Sequence, residues 1–291
     1  MEPGLDGAAG LTTPQNRAMR RKFDLSFERQ KTVLILSGTG TNAWHHYGFL
    51  KNFSLEDFNQ FQAILGISGG ACVFFARIME ELGYFGDEGI KKYDSLWRKR
   101  LNRYGLIEKL LRARSGDYLF HTEDLHLAMR ELFGQGMELT FADFPVKNFK
   151  CITHREEAGG DALGDLYIAD RTHSGPLSVG EVAASGGFPR RVGKMNLCEP
   201  APVGGMSLSD FDFAPREIKS KLKSHLRENF ADSQIVYLSL FKSGHKGNVH
   251  WVRTGTERFP LAGQLLDAAL MAMGIPNPRH ESVYRRSFPS P

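Results

Sequence analysis

The stretch that most constrains this chain is Gly66-Ile67-Ser68-Gly69-Gly70. An apolar run over 61–65 ends just before it, and a segment of apolar periodicity over 71–82 follows. The order is strand, tight turn, helix. A Gly-x-Ser-x-Gly turn in that setting is the pattern of a nucleophile elbow, in which the serine hydroxyl stands clear of the sheet on a sharp turn. Glycines on both sides remove side chains that would crowd such a turn. The helix N-terminus adds positive potential at the hydroxyl. Ser68 is therefore the candidate nucleophile. A serine at a helix start is also an ordinary N-cap, so the rest of the chain has to decide.

The preceding strand supplies a second half. Residues 31–37 form a continuous apolar run, as expected of a strand buried on both faces. It ends in Gly38-Thr39-Gly40-Thr41-Asn42-Ala43, and 44–53 then reads as a helix. Backbone amides in such a turn, at a helix N-terminus, can hold an anion. The spacing Gly38-x-Gly40-x-x-Ala43 also fits a dinucleotide-binding fingerprint, but that fold needs an acidic residue at the end of the second strand. Here the second strand ends in the serine turn instead. The phosphate-loop pattern with Lys followed by Ser or Thr is absent. Sequential parallel strands are commonly neighbours. A loop of amides and an exposed serine would then share one sheet edge, which is an oxyanion hole facing a nucleophile, the arrangement acyl transfer needs.

These residues resemble the patatin-like phospholipases. That family carries a Gly-rich loop after its first strand, then a helix that often reads His-x-Gly-x-Leu. Here His46-Tyr47-Gly48-Phe49-Leu50 matches in register. In the loop, Thr39 and Ala43 replace glycines and Asn42 replaces the usual arginine. The segment 66–71 fits the family's serine elbow. A third landmark, Ala183-Ala184-Ser185-Gly186-Gly187-Phe188-Pro189, is similar to the family's Ala-Ser segment, which follows a helix opened here by Ser178-Val-Gly-Glu181 with capping-box spacing. The resemblance implies a positional role for Ser185.

A serine needs a base to be nucleophilic near neutral pH. Ten histidines leave a Ser-His-Asp triad open. The resemblance implies a Ser-Asp pair instead, with the Asp in an Asp-Gly-Gly or Asp-Gly-Ala turn. No such turn is present; Ser209-Asp210-Phe211-Asp212-Phe213-Ala214-Pro215 occupies the expected region. Asp210 and Asp212 are both candidates, with Asp210 preferred. If the segment is extended, their carboxylates point to one side, and one of them would have a raised pKa.

The resemblance spans about 33–215 and implies an α/β fold: a patatin-like three-layer α/β/α sandwich with a mostly parallel central sheet. It implies lipid acyl hydrolysis of the phospholipase A or lysophospholipase type through an acyl-enzyme on Ser68. Asp210 or Asp212 would be the base, and amides of Gly38, Thr39, Gly40 and Gly69 the oxyanion hole. A thioesterase or acyltransferase on the same scaffold, or a non-catalytic binding module, are the alternatives. No cofactor and no metal are needed.

Composition sets the frame. The length, 291 residues with 41% apolar, is enough for one large core without staples. The expected layout is a lead-in over 1–28, one domain over 29–275 and a tail over 276–291. The three cysteines lack CxxC spacing, so they suggest no zinc site, and their odd count fits a reducing compartment. No apolar run is long enough to span a membrane, and 1–22 lacks the apolar core of a signal peptide. The expected setting is cytoplasmic. Net charge is +4, with basic clusters at 17–22, 219–227 and 279–286. Such clusters are ordinarily solvated faces; the sharper reading is peripheral attraction to anionic lipid or an acidic partner. The helical segments 87–103, with Trp97, and 106–114, with Tyr104 between them, belong to that reading. The partner expected is a lipid or other acyl ester, with no nucleic acid; oligomeric state is left open.

Overall fold

A computed structural model describes residues 23–24, 26–37, 44–84, 92, 106–156, 164–192, 195–239 and 243–254. In chain order its elements are β1 Thr32–Leu36, α1 Trp44–Leu50, α2 Leu55–Asn59, β2 Ala63–Ile67, α3 Gly69–Glu81, α4 Leu106–Ser115, β3 Phe120–His121, α5 Thr122–Phe133, β4 Phe149–Glu156, β5 Asp165–Ala169, α6 Val179–Ser185, β6 Arg191–Val192, β7 Met195–Asn196, β8 Cys198–Glu199, β9 Ser207–Ser209, α7 Arg216–Asn229, β10 Gln234–Ser239, β11 Gly244–Lys246 and β12 Val249–Arg253.

The main sheet runs β11-β12-β10-β1-β2-β4-β5, with β9 also paired to β4. The pairs β12–β10, β10–β1, β1–β2 and β2–β4 are parallel, and antiparallel pairing is confined to the two ends and to β9. Helices cover both faces. The reason lies in β1 and β2, in which every residue is buried. Side chains alternate between faces with a period of two. Leu34, Leu36 and Ile64 enter one core with α1, α3, α5 and α6, while Val33, Ile35, Ala63, Leu65 and Ile67 enter a second core under α7. The protein is thus a mixed α/β sandwich with a mostly parallel central sheet.

Several boundaries differ from the sequence reading. The second strand runs to Ile67, through the first glycine of the serine motif. Gly66 is tolerated there because α3 lies directly over it; a Cβ would sit 2.7 Å from Ala71 Cα. The segment 210–212 is not extended: Asp210 caps a 3-10 turn over Phe211–Phe213. His245 and His250 pair across the β11–β12 hairpin. His121 precedes α5 without a side-chain capping bond, and the Thr122 hydroxyl meets Cys198 Sγ at 3.3 Å. The loop 38–43, Trp97, Tyr104 and the tail lie outside the described residues. Cys72, Cys151 and Cys198 are buried and form no disulfide. Among the described residues no helix is long and apolar enough to cross a membrane.

Candidate active site

Ser68 sits between β2 and α3 with φ +52° and ψ −135°. It has the only positive φ of a non-glycine residue among those described. Such backbone is held only where the surroundings over-determine it, at a cost of about 1–3 kcal/mol. The surroundings here are tight. Gly66 lets α3 close onto β2. A Cβ at Gly70 would lie 2.4 Å from the Leu36 carbonyl oxygen and 2.8 Å from that of Ser37. The first turn of α3 is therefore wedged between the ends of β1 and β2. Leu36 pairs with Gly66, so β1 ends at the same sheet edge as the serine turn.

The strand β4 explains what faces Ser68. Ile67 pairs with Ile152, while Ser209 of β9 pairs antiparallel with His154. His154 and Arg155 also pair with β5, so β9 must use the other edge of β4, the edge that β2 holds lower down. β2 runs up that edge and ends; β9 comes down it and ends. Between the two ends lies Thr153, and Ser68 and Asp210 are the next residues on either side. The Ser68 hydroxyl donates to Asp210 Oδ2 at 2.7 Å, and both residues are buried.

Asp210 is fixed on its other sides as well. Its N–H donates to the Phe188 carbonyl at 2.9 Å, and its Oδ1 accepts the Asp212 N–H at 2.9 Å. Burial pushes its carboxyl up to about 7, and the nearby Asp212 charge adds to the rise; the hydrogen bonds from Ser68 and the Asp212 amide oppose it without cancelling it. Asp212 is exposed, and Lys219 Nζ donates to its backbone carbonyl at 2.5 Å. Phe211 turns into the core under α7 and anchors the turn. Among the described residues, the carboxylate is the hydrogen-bond partner of the Ser68 hydroxyl, and no imidazole stands between them.

Ser185 is buried on another front. Its hydroxyl shares a hydrogen bond of 3.0 Å with His126 Nε2. Burial holds that imidazole below its usual range. Cys72 Sγ donates to the Ala183 carbonyl at 3.2 Å. These contacts lock α6 against α3 and α5, and the segment leaving α6 presents the Phe188 carbonyl to Asp210. Gly69 opens α3, in the turn whose amides lack intrahelical acceptors. Gly38, Thr39 and Gly40 lie outside the described residues. No group of three or more His, Cys, Asp or Glu among the described residues could hold a metal ion.

A cavity of about 190 Å³ opens beside Asp210, with Arg190, Arg191, His154, Glu156 and Phe213 in its walls. Of these residues only Asp210 and Phe213 fall within a motif segment of the sequence. The one local signal was the Arg190-Arg191 pair directly after Pro189; nothing in the spacing marked Glu156 at the far end of β4.

No protein-family model and no curated protein matches the chain. Among solved structures it is similar to the type III effector protein ExoU, at 14% identity and a TM-score of 0.31, over 85% of this chain and 52% of that one. The chain thus spans about half the length of that protein. A likeness at this level says nothing about activity.

Proposed function

We propose that this chain is a serine hydrolase of lipid acyl esters, of the phospholipase A or lysophospholipase type, with Ser68 as nucleophile and Asp210 as general base. The observation that carries this reading is the 2.7 Å hydrogen bond between a buried carboxylate and a serine held at φ +52°. As Ser68 Oγ attacks the ester carbonyl, its proton passes to Asp210 Oδ2. The tetrahedral oxyanion accepts from the Gly69 amide and from amides of the 38–40 loop. One such donor contributes about a hundredfold or more in rate. Asp210 then gives the proton to the leaving alkoxide, and the acyl group stays on Ser68. A water, deprotonated by Asp210 in turn, releases the acid. Asp212 contributes its amide to Asp210 and its charge to the raised carboxyl pKa.

Lipid as the substrate class is supported by α4. Ile107, Leu110 and Leu111 are 75%, 62% and 62% exposed. They share one face with the exposed Arg114, a spacing of i, i+3, i+4 and i+7. An apolar face edged by arginine suits an anionic lipid surface.

A fluorophosphonate probe tests the nucleophile. Wild type should label and Ser68→Ala should not; equal labelling of the two, or none of wild type, would sink the assignment. Asp210→Asn should lower turnover by about a thousandfold or more, and Asp212→Asn by less than about tenfold. Full activity in Asp210→Asn would remove it as the base.

A further inference from the structure

The cavity beside Asp210 has a chemistry of its own. Arg190 is half-buried, with Nε donating to the Tyr118 hydroxyl at 3.0 Å and Nη1 to Glu156 Oε2 at 2.7 Å. Its Nη2 has no partner among the described residues. Glu156 has both oxygens engaged, since its Oε1 accepts the Ser209 hydroxyl at 2.8 Å. It can neutralise one guanidinium and no more. Arg191 stands at the rim, with Nε donating to Asn196 Oδ1 at 2.9 Å; both of its terminal nitrogens lack a partner among the described residues. Two consecutive arginines with unused N–H groups therefore line one small space. Both follow Phe188, whose carbonyl holds the Asp210 amide, so they are tied to the frame that positions the base.

Size and place narrow what could enter. About 190 Å³ leaves room for a phosphate with a few carbons. Guanidinium groups bind phosphate through paired N–H donors better than an ammonium does. The cavity touches Asp210, the residue that returns the proton to the departing oxygen, so it lies on the leaving-group side of the scissile bond.

We propose that this cavity is a subsite in which Arg190 and Arg191 grip a phosphate carried by the leaving alcohol of the substrate. This rests on the esterase reading for its place in turnover, but the binding itself does not. The alcohol product, a small phosphate ester, should then bind without any acyl group.

Two measurements test it. The first is calorimetric titration of the wild-type chain with glycerol 3-phosphate, which needs no chemistry. Saturable binding is expected, weakened at least about tenfold in Arg191→Gln, with glycerol itself not binding. No binding, or equal binding by the variant, overturns the subsite. The second compares hydrolysis of a short-chain acylglycerol phosphate with the uncharged acylglycerol of the same chain, both as monomers. Wild type should favour the phosphate form by about tenfold or more through KM, and Arg191→Gln should lose that ratio. Equal preference in wild type, or an unchanged ratio in the variant, also overturns the subsite. Binding of glycerol 3-phosphate with no hydrolysis of either ester would instead overturn the esterase reading and leave the subsite standing. Inorganic phosphate in parallel separates the sources: if it binds as tightly as glycerol 3-phosphate and does so equally in Arg191→Gln, the site holds an adventitious ion only and the proposal fails.

Discussion

At the residue scale, Asp210 carries two demands that conflict. It must be buried to meet Ser68, and burial raises its carboxyl to about 7. A base works in its deprotonated form, so activity should rise with pH through about 7 and then level. The limb reports the free enzyme if kcat/KM is followed. A profile already flat from pH 5 upward would contradict Asp210 as the base. Ser68 could be singled out from sequence because its constraint is local: two glycines, a strand before and a helix after. The choice between Asp210 and Asp212 could not be made that way. It depends on a 3-10 turn that aims one carboxylate inward and leaves its neighbour exposed. It also depends on β9 returning along β4, so that residues 142 apart in the chain meet.

At the element scale, the elbow depends on how closely α3 approaches the end of β1. Glycine inside a helix is ordinarily about 1 kcal/mol worse than alanine, so Gly70→Ala would be expected to stabilise an open helix. Here the added methyl would meet the Leu36 carbonyl oxygen at 2.4 Å, and backbone cannot rotate away as a side chain can. The sign should reverse, with a loss of about 2 kcal/mol in urea unfolding and a fall in activity as the end of β1 is pushed from the serine turn. An equal or higher midpoint would show that β1 and α3 have more room than these distances allow. The exposed face of α4 is a second element-scale case. Leu110→Ser with Leu111→Ser removes apolar area that nothing described covers, so folding stability should change little. Sedimentation with anionic vesicles should drop about tenfold or more; an unchanged bound fraction would rule out α4 as the lipid-facing surface. The alternation that divides β1 and β2 between two cores was readable as continuous apolar runs. The short strands β6, β7 and β8 were not, because two-residue pairs carry no periodicity to read.

At the scale of the whole molecule, two buried carboxylates pull stability in opposite directions with pH. Burial alone would raise Asp170, but the Lys150 ammonium at 2.5 Å and the His173 amide and ring hold it at about 2. Its folded pKa lies below its ordinary value near 3.8. Its contribution is therefore present above about 4 and lost as pH falls toward 2. Asp210 is the reverse, since its folded pKa of about 7 lies above 3.8. Between those values the folded state binds the extra proton, so stability falls as pH rises and the penalty is complete above about 7. Three pKa units correspond to at most about 4 kcal/mol. Taken by themselves, these two groups favour the fold most near pH 4–5, below the pH at which the base is free to act. Asp210→Asn keeps the shape and removes the titration. Its melting temperature should match wild type near pH 4 and exceed it increasingly up to pH 8, by about 2–4 °C per kcal/mol for a domain of this size. A constant offset between the two melting curves across that range would mean that the buried charge at the site carries no cost to the fold. The tension between holding Asp210 against Ser68 and keeping the sheet edge stable would then be absent.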